Sequence, residues 1–470
     1  MLALRGRPFS HNGRLARREV LRAGVLALSG LTLGDLLRLR AQAADPRTAK
    51  HCIFVFLNGG QSQLDTFDMK PGAPAGIRGP YQPIATRVAG IDICEKLPKL
   101  AQLTDRFAVV RSMQHHLTAH NTGAAYALSG HSPGTDQDIF PKATNHPSMG
   151  SVVKKVLPAS SNMPSAVLTP RLLFDMGFPT PSAGGGWLGP AYDPFPVARN
   201  RMMARAPKWD GKLPAPEGLR LPDDVTAGRL DARKNLLAQV DGTFARAQRD
   251  ASMTTMDTHQ QRALDLILSS EAQAAFDLSR EPAGMHERYG RSEMGQVLLL
   301  SRRLIEAGVR FVTANAVSNP ENTALSPFQI WDTHFDHFRL YNETLLPEFD
   351  QSLAALITDL DERGLLDETL LLVAGEFGRT PTINNAKDGG RDHWPKAYSV
   401  LLAGGPVRGG QVFGASDKHA ATVKDRPVSP DDLAATVFEA LGIRHDMTLK
   451  DSAGRPHRIT DGKPVEQLFA

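Results

Sequence analysis

Six short, largely apolar runs, each too short for a helix, are separated by stretches long enough to hold amphipathic helices, and this alternation limits the fold more than any other feature. The runs are Cys52–Leu57, Phe107–Val110, Ser165–Leu168, Arg310–Thr313, Thr369–Ala374 and Tyr398–Leu402. Consecutive apolar positions suit a strand covered on both faces, the situation of a parallel sheet. Between the fourth and fifth runs, Leu346, Phe349, Leu353, Leu356, Ile357 and Leu360 recur at helical spacing, with Gly364 where a C-terminal cap belongs. Near the end, Ser429-Pro430-Asp431-Asp432 combines a cap residue, a first-turn proline and acids at the positive pole of a helix. Leu433, Val437, Phe438 and Leu441 supply its buried face, and Gly442 closes it. The expected class is α/β, a mostly parallel sheet with helices on both faces.

The middle of the chain breaks this pattern. Residues 192–222 are rich in Pro, Gly, Arg and Met, and from Thr226 to about Phe276 the sequence turns polar and helical. Leu236, Leu237, Val240 and Phe244 form one stripe, and Leu264, Ile267 and Leu268 another. An irregular and helical insertion over about 192–280 is expected, within a single domain spanning 44–470. The first 43 residues read as export signal. Arg17-Arg18 precedes an apolar run from Ala23 to Leu37 and the small-residue box Ala41-Gln42-Ala43, the order of a twin-arginine leader. The expected location is therefore periplasmic or secreted, by way of the twin-arginine export machinery. No segment of the mature chain reaches the length of about 18 apolar residues that a membrane span needs.

Charge supports the same division. The whole chain carries 54 basic and 50 acidic residues, but residues 1–43 hold eight Arg against only Glu19 and Asp35. The remainder thus has 46 basic and 48 acidic residues, a net of −2, so the basic excess belongs to the leader and gives no reason to expect nucleic acid as a partner. With only Cys52 and Cys94, no disulfide framework holds the fold, and two free thiols are expected.

Chemistry concentrates just beyond the strand-like runs, where open α/β sheets bind ligands. Trp331-Asp332-Thr333-His334, Gly375-Glu376-Phe377-Gly378-Arg379-Thr380 and Gly390-Arg391-Asp392-His393 offer the carboxylates and imidazoles that hold a divalent ion. After the second run, His115, His116 and His120 fall within six positions, a density more typical of a site than of core packing. His146-Pro147-Ser148-Met149 reads as a helix start.

These residues carry a resemblance. Leu57-Asn58-Gly59-Gly60-Gln61-Ser62-Gln63-Leu64-Asp65-Thr66-Phe67-Asp68, the stretch from His120 to Gly130, and the motifs around Asp332, Glu376 and Val428–Gly442 resemble the alkaline-phosphatase/sulfatase superfamily, in particular its uncharacterised twin-arginine-exported branch. The resemblance spans about His51 to Ile443. It implies an alkaline-phosphatase-like fold and a nucleophile ten residues before a glycine at a helix start, the place held by His120 with Thr118 and Thr122 as neighbouring hydroxyls. His120 is then a nucleophile, a general acid or a further metal ligand, of which acid or ligand is preferred because imidazole serves both without new assumptions.

For one metal the resemblance implies Asp332, His334 and His393, with His337 or Asp336 as alternatives to His334. For a second it implies the places of Asn58, Glu376 and Phe377; a phenyl ring cannot ligate, so Asp65 or Asp68 would have to substitute. Arg379 either pairs bidentately with a sulfate or phosphate oxyanion or forms a surface ion pair with Glu376. The expectation is a hydrolase of sulfatase or phosphatase type that uses zinc, calcium or magnesium on a small-molecule or carbohydrate oxyanion ester. The competing expectation is a non-catalytic binding or surface-structural module on the same fold.

Overall fold

All six apolar runs are strands of one sheet. The computed structural model describes residues 48–158, 162–170, 173–175, 178–198, 209–213, 216, 266, 269–318 and 330–470. The expected leader and the two helical stripes expected between Leu236 and Leu268 lie outside these residues. Eight strands form the sheet: β1 (His51–Phe56), β2 (Phe107–Met113), β3 (Ala166–Thr169), β4 (Phe195–Pro196), β5 (Phe311–Asn315), β6 (Thr369–Ala374), β7 (Tyr398–Ala403) and β8 (Gln411–Phe413), in the order β8-β2-β7-β6-β1-β5-β3-β4. Every neighbouring pair is parallel except the two made by β7, which runs against β6 and β2. The sheet is mostly parallel, as the apolar runs predict.

Period-two alternation divides the core. Ile53 and Val55 of β1 face a layer containing α3 (Glu293–Glu306) and α4 (Leu346–Glu362), where Val297, Leu298, Leu353, Leu356 and Leu360 are buried. Cys52, Phe54 and Phe56 face the opposite layer, built from α1 (His120–Ser129), α2 (Met149–Val156) and α5 (Pro430–Ala440). Both helices anticipated from sequence are present. α4 is preceded by a helical turn and a π segment over His337–Leu345, and Gly364 has the left-handed φ of +66° expected just beyond it. α5 starts with a capping box between Ser429 and Asp432. Cys52 and Cys94 are buried free thiols.

Two glycines permit close approaches on which the site depends. Gly130 ends α1 at φ +68°, and a Cβ there would lie 2.2 Å from the Ala434 Cβ, so α1 and α5 meet without a side chain between them. Gly59, beyond β1 at φ +108°, would place a Cβ 2.3 Å from the Asp332 nitrogen. The turn after β1 can therefore press directly against the segment that carries Asp332. Among the described residues no helix is long and apolar enough to cross a membrane.

Candidate metal centre

The carboxyl ends of β1, β2 and β6 open on the same edge of the sheet, and four side chains converge there. Asp332 follows Trp331, whose fully buried indole packs edge-on against Tyr341 and Phe349 at centroid distances of 5.7 and 5.6 Å. The Trp331 N–H donates to the Asn58 carbonyl at 3.2 Å, which ties Asp332 to the end of β1. A two-residue antiparallel ribbon, Gly378–Arg379 with His393–Trp394, brings His393 back beside β6. His120 is the first residue of α1.

The inward atoms lie close together. His334 Nε2 and His393 Nε2 are each 3.0 Å from Asp332 Oδ1 and 3.0 Å from one another. His120 Nε2 is 3.3 Å from Asp332 Oδ2. One potential ligand atom from each of His120, Asp332, His334 and His393 falls within 4.8 Å of all the others.

The outward nitrogens fix which tautomer each ring adopts. His120 Nδ1 meets Glu376 Oε1 at 2.7 Å, His334 Nδ1 meets Asp392 Oδ1 at 2.6 Å, and His393 Nδ1 meets the Thr118 carbonyl at 2.7 Å. A carboxylate or carbonyl oxygen only accepts, so each Nδ1 donates and each neutral ring turns the lone pair of Nε2 inward. Three imidazole lone pairs and a carboxylate thus point at one place, and His120 Nε2 is buried with no hydrogen-bond partner. Such a convergence could hold a cation, and oriented imidazoles backed by acceptors are the usual surroundings of a metal ligand. These residues fit a metal ion.

The carboxylates set the electrostatics of the cluster. Burial works against charge on His120, yet the carboxylates of Asp332 and Glu376 prevail and raise it to about 9. His334 is raised by its bond to Asp332, while burial lowers His393 despite the same partner. Asp332 is held far below the usual carboxylate range; burial opposes this, but Arg379 and the three imidazoles outweigh it.

The structure brings together Asp332, His334, His393 and His120, and gives the remaining sequence candidates other partners. Glu376 is fully buried, accepts from the Gly59 N–H at 2.8 and 3.1 Å, and stands behind His120. Asn58 lies at the end of β1, with its backbone carbonyl engaged by Trp331. Asp65 is tied to Arg391 at 2.7 Å and to His337 Nε2 at 3.0 Å, which removes it and His337 from the metal ligands. Asp68 pairs with Lys70, and Asp336 with Arg339 and Lys387. Thr118 donates its hydroxyl to Asp136 at 2.6 Å. His146 stacks on His131 with ring centroids 3.7 Å apart.

Arg379 corrects both alternatives drawn from sequence. It is fully buried, so it forms no surface ion pair, and its ionic partner is Asp332 at 2.7 Å. The rest of its guanidinium donates to the carbonyls of Gly60 and Arg391 at 3.0 and 3.1 Å and to that of Gly59. With four of its five N–H donors committed to protein oxygens, too few remain for a bidentate grip on an oxyanion, and it orients Asp332. Phe377, at one of the places the resemblance offers a second metal, brings no ligand atom. Phe377 lays its ring on His393, with centroids 4.4 Å apart and planes at 27°, and beside His120 at 5.2 Å. Asp392, a carboxylate of the Gly390–His393 motif, accepts from His334 Nδ1 and aligns its ring.

Over residues 49–469 the chain matches the family described as "Protein of unknown function (DUF1501)". The chain belongs to the DUF1501 family. No curated protein matches this DUF1501 chain. Solved structures similar to it include a phosphonate monoester hydrolase from Silicibacter pomeroyi, 13% identical, covering 90% of this chain and 76% of that one with a TM-score of 0.36. Another is the PsFucS1 sulfatase from Pseudoalteromonas sp., 12% identical, covering 93% and 75% with a TM-score of 0.38. A third is the lipoteichoic acid synthase LtaP from Listeria monocytogenes, 12% identical, covering 85% and 73% with a TM-score of 0.36.

Proposed function

We propose that this DUF1501 protein is an exported, alkaline-phosphatase-like hydrolase that uses one divalent transition-metal ion on an oxyanion ester of sulfatase or phosphatase type. The observation that carries the reading is the inward convergence of His120 Nε2, His334 Nε2, His393 Nε2 and the Asp332 carboxylate. Three nitrogens and one carboxylate favour zinc or a similar borderline ion over calcium or magnesium, which take oxygen shells. Lewis acidity toward an ester oxygen is the chemistry such an ion supplies when bound. Around it, Glu376, Asp392 and the Thr118 carbonyl hold the imidazoles in one tautomer, and Arg379 keeps Asp332 ionised and aimed. The His334 side chain is 35% exposed, which leaves the centre open on that side. The small-molecule or carbohydrate ester and the twin-arginine route belong to the same proposal, the latter supported by Arg17-Arg18 and the box Ala41-Gln42-Ala43.

A second reading, a non-catalytic module with a structural metal, is favoured by a specific observation: four protein ligands fill the shell of a closed tetrahedral site. Metal analysis and an ester panel separate the two. Purified mature protein is expected to carry about one tightly held ion per chain, lost in Asp332→Ala, and to cleave a chromogenic sulfate or phosphate ester only when loaded. An ion without turnover of any ester supports the structural module, and the absence of any bound metal defeats the hydrolase.

A further inference from the structure

We propose that Asp65 is a positioning residue for the metal centre: its one buried carboxylate holds the segment that carries Asp332 and His334 in fixed relation to the segment that carries His393. This rests on the metal ion proposed above and names what sets the spacing of its ligands.

Asp65 lies beyond β1, and Ser62, Thr333, His337 and Arg391 are fully buried with it. Ser62 ties the carboxylate to its own turn, donating its hydroxyl to Asp65 Oδ2 at 2.5 Å. From there one arm of the network runs to Thr333, the residue between the two ligands Asp332 and His334. His337 bridges the gap, with Nε2 donating to Asp65 Oδ2 at 3.0 Å and Nδ1 meeting the Thr333 hydroxyl at 2.6 Å. The second arm runs to Arg391, two residues before His393. Its guanidinium donates to Asp65 through Nε at 2.7 Å and Nη2 at 3.3 Å. Its other donors go to the carbonyls of Ile77, Thr380 and Pro381 at 2.8, 3.0 and 2.5 Å, so all five N–H groups are used and the fork cannot turn.

The two arms also meet directly. The Arg391 backbone N–H donates to the Thr333 carbonyl at 3.1 Å, and a Cβ on Gly390 would lie 1.7 Å from the His334 carbonyl oxygen. The backbones of the two ligand-bearing segments therefore touch, with no side chain between them to take up a shift. In donor and acceptor order, Thr333, His337 and Asp65 match a hydroxyl–imidazole–carboxylate relay. With all three fully buried, no substrate reaches that hydroxyl, and the hydrogen bonds serve geometry. Apolar side chains fill a buried volume without the desolvation cost of an ion pair. What Asp65 adds is direction, toward two segments at once. Slack of about 0.5 Å at Arg391 would exceed the roughly 0.2 Å that a metal–ligand distance tolerates.

The test is zinc affinity of the purified protein, read by competition with a chelator on variants shown to be folded by circular dichroism. Asp65→Asn, which keeps the volume but sets an amide against the Arg391 fork, is expected to weaken zinc binding by about tenfold or more. Thr333→Val removes the hydroxyl alone and is expected to weaken it by at least about threefold. The control is Asp359→Asn, which breaks another buried pair, Arg302 Nε to Asp359 Oδ2 at 2.9 Å between α3 and α4. It is expected to lower the melting temperature and leave zinc affinity within about threefold of wild type. A folded Asp65→Asn protein that loses less than about threefold in affinity overturns this inference and leaves the metal centre standing, and so does an equal loss in Asp359→Asn. If Asp65→Asn does not fold, Thr333→Val decides by the same threshold. Wild-type protein that binds no zinc sinks the metal centre and this inference together.

Discussion

At the residue scale, the behaviour of the centre is set by what stands behind each imidazole. Glu376 is buried and shares no solvent, whereas Asp392 is half exposed, so the two backing carboxylates should not be equivalent. Glu376→Gln is expected to weaken metal binding on the order of 10- to 100-fold, and Asp392→Asn by less, as read by competition with a chelator. Equal losses would show that burial of the backing group is irrelevant. A pH dependence follows from His120, whose folded pKa of about 9 lies above the ordinary imidazole value. A metal must displace that proton, so affinity should climb with pH and level off above about 9. In the metal-free protein the sign for stability is opposite. Protonated His120 contributes fully below the unfolded value of about 6.5, and the contribution is lost as pH rises through about 9. Zinc titrations and thermal melts at several pH values check both directions. Asp332, His334 and His393 were legible because ligand-type residues sat beyond strands. The roles of Glu376 and Arg379 were not, since a carboxylate can ligate or brace and a guanidinium can bind substrate or protein depending on neighbours far along the chain.

At the scale of elements, the start of α1 matters most. Its N-cap, Ala119, offers no side-chain acceptor, and Asp136 holds the turn just before the helix by taking the Ala119 N–H at 3.0 Å together with the Thr118 N–H. The same turn offers the Thr118 carbonyl to His393. Asp136→Ala should therefore cost about 1 kcal/mol in stability and also weaken zinc binding several-fold. A stability loss with unchanged metal affinity would separate the turn from the centre. On the other face, Leu356 of α4 is fully buried in the core, and Leu356→Ala is expected to cost about 2–5 kcal/mol in denaturant unfolding while leaving the ligand geometry intact. The long apolar strands and the α4 stripe could be read from sequence because their periodicity is local. β4, two residues including Pro196, and β8, three residues, carry too few positions to show a period. The reversed direction of β7 is likewise a matter of pairing partners.

For the whole molecule, the ligands come from three distant parts of the chain: the start of α1, the segment 332–334 and the ribbon at His393. An ion that joins them binds only the folded state, so saturating zinc should raise the melting temperature, with about 2.7 kcal/mol expected at a free concentration of 100 times Kd. A chelator should reverse the gain, and Asp332→Ala should abolish it. The two thiols give an independent probe of integrity. Burial pushes Cys94 up to about 12 and Cys52 higher still, so neither should react with a thiol reagent until the sheet opens.

What the sequence determined by itself was whatever short-range pattern encodes: apolar runs that must be covered on both faces, a helix stripe, a capping box, and histidines and carboxylates gathered just past strand ends. Tertiary structure alone decided which of those groups meet, because Gly59 lets the β1 turn touch Asp332, Phe377 stacks on His393, and Arg379 is drawn inward to backbone carbonyls. A ligand set is a statement about distances of a few ångströms between residues about 60 to more than 200 positions apart, and only the packing of the sheet and its loops fixes those distances.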